Sequence, residues 1–131
     1  MTQLAGLKAL IVEDEAAVAL MIEDMILELG CEIAASVANL DSARRIVNVV
    51  QCDFAVLDVN VGGQLVFPVA QILQERQIPF LFSTGYGASG LPGEFKDRAV
   101  LSKPFSIEEL QQKILIALRS NEARDGNPAR S

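Results

Sequence analysis

The sequence predicts an α/β fold in which a parallel sheet is covered by helices on both faces. Five short apolar runs alternate with stretches of helical periodicity, and none of the runs shows the strict in/out alternation of a sheet with one wet face. The chain has 131 residues, half of them hydrophobic. That length suits one domain with one core burying roughly two thirds of the unfolded chain's surface. A single domain is expected over residues 1–120. Residues 121–131 are small, polar or charged, include Gly126 and Pro128, and are expected to form a disordered tail.

The elements follow in order. Leu7 to Val12, Glu32 to Val37, Phe54 to Leu57, Phe80 to Ser83 and Ala99 to Leu101 read as strands buried on both sides. After the first, Val18, Met21, Ile22, Met25, Ile26 and Leu29 repeat at helical spacing, and Gly30 supplies the stop. Asn39 reads as the N-cap of a second helix with Leu40, Ala43, Ile46, Val47 and Val50 inward. Pro68 is tolerable only in the first turn of a third helix, whose core face is Val69, Ile72 and Leu73. A fourth helix would have to form across Gly85 to Gly93, which holds four glycines and Pro92. Each interior Gly costs about 0.5 to 1 kcal/mol relative to Ala and an interior Pro about 3, so a short turn or a flexible loop is expected there. Ser106-Ile107-Glu108-Glu109 is a capping box, placing the start of the last helix just after Phe105.

Composition removes several kinds of chemistry. There is no histidine, so imidazole-based serine or cysteine nucleophile sites, His-rich zinc sites and a phosphohistidine carrier role are excluded. With 11 basic against 17 acidic residues the net charge is −6, which disfavours nucleic-acid backbones and anionic membranes alike. Cys31 and Cys52 form no close motif, the N-terminus lacks a signal-peptide pattern, and no apolar stretch reaches membrane-spanning length. A cytoplasmic protein with reduced thiols is expected.

In an open parallel sheet, ligands bind beyond the C-terminal ends of the strands. Those ends carry Glu13-Asp14, Asp58, Ser83-Thr84 and Ser102-Lys103-Pro104. Each has an ordinary explanation: Asp14 or Glu15 as a helix cap, Asp58 before Val59-Asn60-Val61-Gly62-Gly63 as a turn former, Thr84 as strand-end punctuation, Lys103 as a solvated surface lysine. Together they suggest more. Three carboxylates within 4 to 5 Å repel by on the order of 3 to 4 kcal/mol per pair at an effective dielectric of 20, so a cation must hold them. Mg²⁺, which prefers oxygen ligands, fits. A transferring phosphoryl group would be neutralised by the metal, Lys103 and the Thr84 hydroxyl, with Asp58 as a nucleophile that needs no histidine base.

These residues at these spacings resemble the receiver domain of bacterial two-component response regulators, over about Leu7 to Arg119. The resemblance implies a flavodoxin-like (βα)5 doubly wound sheet of order 2-1-3-4-5. It implies that Asp58 accepts a phosphoryl group from a sensor histidine kinase or histidine phosphotransfer protein. Asp14 and Asp58 are implied as direct Mg²⁺ ligands, Glu13 as a ligand through water, and Asn60 as the donor of a backbone carbonyl. Lys103 is implied to pair with the phosphoryl group and Thr84 to shift towards it, with Lys103-Pro104 cis. Two departures stand out. Val100 occupies the position where typical receivers carry Tyr or Phe. Phe82-Ser83-Thr84-Gly85-Tyr86 is similar to a subclass of mostly single-domain receivers named for a Phe-Ala-Thr-Gly-x-Tyr motif, with Ser83 in place of Ala. Tyr86, beside Gly85, is then expected to supply the movable aromatic group that Val100 lacks, as phosphorylation orders the Gly85 to Gly93 segment.

The expected function is a stand-alone receiver, monomeric or weakly dimeric, that signals to a downstream protein by contact and catalyses only its own phosphorylation and slow dephosphorylation. A Mg²⁺-dependent aspartyl-phosphate hydrolase is the main alternative, but the position two residues after Asp58 that would supply its general acid is Asn60. A flavin-phosphate site is disfavoured by Glu13-Asp14-Glu15. A receiver-like module that is never phosphorylated is the remaining alternative.

Overall fold

In a computed structural model, which describes residues 4–85 and 91–125, the apolar runs form five parallel strands: β1 (Lys8–Val12), β2 (Glu32–Val37), β3 (Phe54–Asp58), β6 (Phe80–Thr84) and β7 (Val100–Ser102). Two further strands, β4 (Asn60–Val61) and β5 (Gln64–Leu65), make a small separate hairpin. The sheet order is β2-β1-β3-β6-β7, the expected 2-1-3-4-5 once the hairpin is set aside. Every residue of β3 and β6 is buried. The expectation that all five strands are buried on both sides fails at β2, which is only half-covered, and at β7, where Ala99 and Val100 of the expected run are only part-buried. Both are edge strands, and an apolar run does not reveal whether a strand has one neighbour or two.

Four helices cover the sheet: α1 (Ala16–Glu28), α2 (Leu40–Ile46), α3 (Phe67–Glu75) and α4 (Ile107–Asp125). On one face α1 and α4 bury Ile22, Ile26, Leu110 and Ile114 against Ile11, Val56, Leu81 and Leu101. On the other, α2 and α3 bury Leu40, Ala43, Val69 and Leu73 against Leu10, Leu57, Phe80 and Phe82. The punctuation acts as anticipated. Gly30 ends α1 at φ +89°. Asn39 Oδ1 accepts the Ser42 amide at 2.8 Å, and Pro68 lies in the first turn of α3. Ser106 and Glu109 exchange both hydrogen bonds of the capping box, at 2.9 and 3.1 Å.

No full fourth crossover helix forms among the described residues; between β6 and β7 there is a single 3₁₀ turn, Gly93–Phe95. Its Phe95 is fully buried in a cluster with Phe67, Phe80 and Phe82, ring centroids 5.5 to 5.9 Å apart. Arg98, stacked 4.1 Å over the Phe80 ring, donates to Gln74 Oε1 at 2.7 Å. The segment leading into β7 is thus fastened to α3 by aromatic packing and a charged hydrogen bond. Tyr86, expected as the movable aromatic group, lies outside the described residues, as does most of its glycine-rich segment. The last helix runs past Arg119, through Asn121, to Asp125. Asn121 Nδ2 donates to Gln77 O at 3.1 Å, which ties down a polar stretch that composition alone assigns to a tail. Residues 126–131 lie outside the described residues. No helix among the described residues is long and apolar enough to cross a membrane.

Candidate phosphoacceptor site

Each central strand turns polar at its last step. Val12 gives way to Glu13, Leu57 to Asp58, and Phe82 to Ser83 and Thr84, while Lys103 follows β7. Because neighbouring parallel strands are in register, with Val12 opposite Leu57 and Asp58 opposite Ser83, these ends meet on one edge. Glu13, Asp14 and Asp58 bring carboxylate oxygens within 4.8 Å of one another. Lys103 Nζ reaches across to Glu13 Oε1 at 2.8 Å and to Asp58 Oδ2 at 3.4 Å.

The helix-cap explanation for the acids does not hold. The residue preceding α1 is Glu15, and its side chain makes no capping bond. Glu13 Oε2 instead accepts the Glu15 amide at 3.1 Å, and Asp14 Oδ2 accepts the Gly62 amide at 2.9 Å, from a loop 48 residues away. The second bond needs the β4–β5 hairpin. Its Gly62-Gly63 turn has φ values of +60° and +85°, which favour glycine. Asn60 closes the turn, its Oδ1 accepting the Gly63 amide at 2.9 Å, and its own amide donates to Asp58 Oδ1 at 3.3 Å. The short Val59 to Gly63 run therefore connects Asp58 to Asp14.

Charge states follow from these contacts. Burial, reinforced by the neighbouring Glu13 carboxylate, pushes Asp58 up to about 6 against an ordinary value of 3.8, although Lys103 and the Asn60 amide pull it down. For Asp14, burial is the largest single influence and pushes the carboxyl up, but the Gly62 amide, its own backbone amide and hydrogen bonds with Glu13 and Asp58 together hold it below its ordinary range. For Lys103, burial opposes the ammonium, but Glu13 and Asp58 hold its pKa above the usual lysine value. Three hard oxygen donors, two of them buried, with one ammonium already drawn in, fit a small divalent cation such as Mg²⁺.

The remaining predicted residues fall around this core. Thr84 is buried at the end of β6, and its carbonyl accepts the Lys103 amide at 2.9 Å. Gly85 follows it, exposed. Val100 lies opposite Phe82 and packs against the α2/α3 side of the core. The Lys103–Pro104 peptide is cis. Gly62, whose amide holds Asp14, was not among the residues singled out from sequence as part of the site; its glycine pair signals a turn but not which carboxylate the turn would meet.

No protein-family model matches the chain, and no curated protein does. Among solved structures, SdrG from Sphingomonas melonis Fr1 is 38% identical, covering 91% of this chain and 99% of its own, with a TM-score of 0.76. The REC domain of the Erythrobacter litoralis PhyR response regulator is 25% identical, covering 90% of this chain and 94% of its own, with a TM-score of 0.78. The chain belongs to the response regulator receiver family. The BeF₃-activated conformation of SdrG is similar to this receiver at 36% identity and a TM-score of 0.74, covering 87% of this chain and 98% of that one.

Proposed function

We propose that this receiver accepts a phosphoryl group on Asp58 from a phosphohistidine of a sensor histidine kinase or histidine phosphotransfer protein, and signals onward by contact with a further protein. The meeting of Glu13, Asp14 and Asp58 with the Lys103 ammonium at one strand edge carries this reading. An Asp58 carboxylate oxygen attacks phosphorus; the P–N bond breaks, and the imidazole keeps its electron pair and takes up a proton. With a pKa near 6, Asp58 is mostly ionised at neutral pH. Asp14 and Asp58 would hold Mg²⁺ directly, with Glu13 through water and Asn60 through its carbonyl; when bound, the ion offsets charge on the acids and the phosphoryl oxygens. Lys103 pairs with a phosphoryl oxygen, and the Thr84 hydroxyl moves to another. The BeF₃-activated conformation of SdrG supports the reading, because trifluoroberyllate on a carboxylate oxygen copies the shape of an acyl phosphate.

The run Phe82-Ser83-Thr84-Gly85, with Val100 in place of the usual aromatic residue, supports membership of the Phe-Ala-Thr-Gly-x-Tyr subclass, with Tyr86 at the x position and Gly87 at the motif's last one. It is a signalling protein acting on itself, not a hydrolase. Asn60 stands where a phosphohydrolase needs its general acid, and its side chain is engaged in closing the hairpin. Incubation with Mg²⁺ and acetyl phosphate tests both points. The expected result is a labile mass increase of one phosphoryl group, absent when chelator replaces Mg²⁺ during the incubation and abolished in Asp58→Asn. An intact chain without adduct would leave only an interaction module, and multiple turnover on phosphate esters would establish the hydrolase.

A further inference from the structure

Among the described residues the buried hydroxyl of Ser83 has no hydrogen-bond partner, although Ser83 is 0% exposed. Burying a hydroxyl unpaired is costly, and alanine would fill the same strand position without that cost. Its place in the sheet suggests what the hydroxyl meets. Strands alternate sides, and Leu81 faces the α1/α4 core, so Ser83, two residues further along β6, faces that side too; Lys103, just past the end of β7, reaches the same face through Glu13 and Asp58. Val56 places Asp58 there, and Ile11 places Glu13. Asp58 pairs with Ser83 and Ser83 with Leu101, so Glu13, Asp58 and Ser83 lie side by side on that face, with Lys103 two residues beyond Leu101. To reach Asp58 and Glu13 from beyond the end of β7, the Lys103 side chain must pass the C-terminal end of β6, where Ser83 and Thr84 lie. Its ammonium has three N–H donors; Glu13 takes one at 2.8 Å and Asp58 another at 3.4 Å.

We propose that Ser83 is a positioning residue for Lys103: when a phosphoryl group on Asp58 draws the ammonium back from Glu13, Ser83 Oγ accepts its third N–H and fixes it over the phosphoryl oxygens. Ser83 acts through Lys103 rather than on phosphorus. The inference rests on the phosphoacceptor reading above and assigns a partner to a hydroxyl that reading does not use.

The test uses the full chain with Mg²⁺ and trifluoroberyllate as the probe. Ser83→Ala is expected to weaken trifluoroberyllate binding by about tenfold, the fold-change of one charge-assisted hydrogen bond. The Tm of the ligand-free protein should stay the same or rise, because the orphan hydroxyl is gone. Ser83→Cys, with a weaker acceptor of similar size, should fall between. The Lys103 ammonium, followed by ¹H–¹⁵N NMR, should become exchange-protected on trifluoroberyllate binding in the parent chain and not in Ser83→Ala. Equal affinity in parent and Ser83→Ala, with parent binding intact, would overturn the inference and leave the phosphoacceptor reading standing. A loss of affinity matched by a fall in ligand-free Tm would assign Ser83 to packing and overturn it as well. A parent chain that binds no trifluoroberyllate would remove the reading and the inference together.

Discussion

The lower part of the sheet and its C-terminal edge obey opposite rules. Below, β3 and β6 bury Phe54 to Leu57 and Phe80 to Phe82 in contact with apolar side chains from both faces, and each buried methylene adds to stability. One residue further on, Asp58 is also buried, but beside Glu13 and Asp14, where burial and like charge both oppose the state in which it works. The apolar region stabilises the fold, and the polar edge draws on that stability to hold the Asp58 carboxyl buried beside like charge. Stability and reactivity are therefore separable by position along a single strand.

The largest expected break in this contrast lies on the apolar side. Phe95→Ala opens the aromatic cluster around the 3₁₀ turn and should cost about 3 to 5 kcal/mol in urea unfolding, while the acids at the edge keep their arrangement. A cost below about 1 kcal/mol would mean that the 3₁₀ turn is not held by that cluster. Next is Lys103→Met, which leaves the Glu13 carboxylate, 0% exposed at its side chain, without its cation. A loss of about 3 kcal/mol is expected in the metal-free protein, and a neutral result would show that water already screens the pair. The smallest effect sharpens the contrast through pH. Since the folded-state pKa of Asp58 is raised to about 6 from 3.8, its contribution to stability is complete below about 4 and is lost as pH rises through 6. The parent chain should therefore lose on the order of 1 kcal/mol relative to Asp58→Asn between pH 5 and 7.5, read from urea midpoints without metal. A gap independent of pH would place Asp58 at its ordinary value.

What the sequence made legible follows the same division. Capping at Asn39 and Ser106 and the stop at Gly30 depend on neighbours within a few residues, and they appear where local chemistry places them. The strand-end acids were legible because a parallel sheet gathers consecutive strand ends, so position after an apolar run stands in for position in space. Three features were not. The β4–β5 hairpin has strands of two residues each, too short for alternation to register. Its bond to Asp14 joins residues 48 apart, and nothing local announces it. The partial exposure of β2 depends on what lies beside it, which its own residues do not encode.

That hairpin also constrains how the receiver can change. Asn60 pairs with Leu65 and Val61 with Gln64 around two glycines, and the turn delivers one amide to Asp14 while its first strand begins two residues after Asp58. A shift of one residue would turn every side chain over and carry the amide away. Gln64 and Leu65 are exposed, so substitutions there meet solvent, whereas an insertion between Asp58 and α3 would move the turn away from Asp14. In this loop, the spacing of the chain and the two glycines of the turn together decide whether an amide arrives at Asp14.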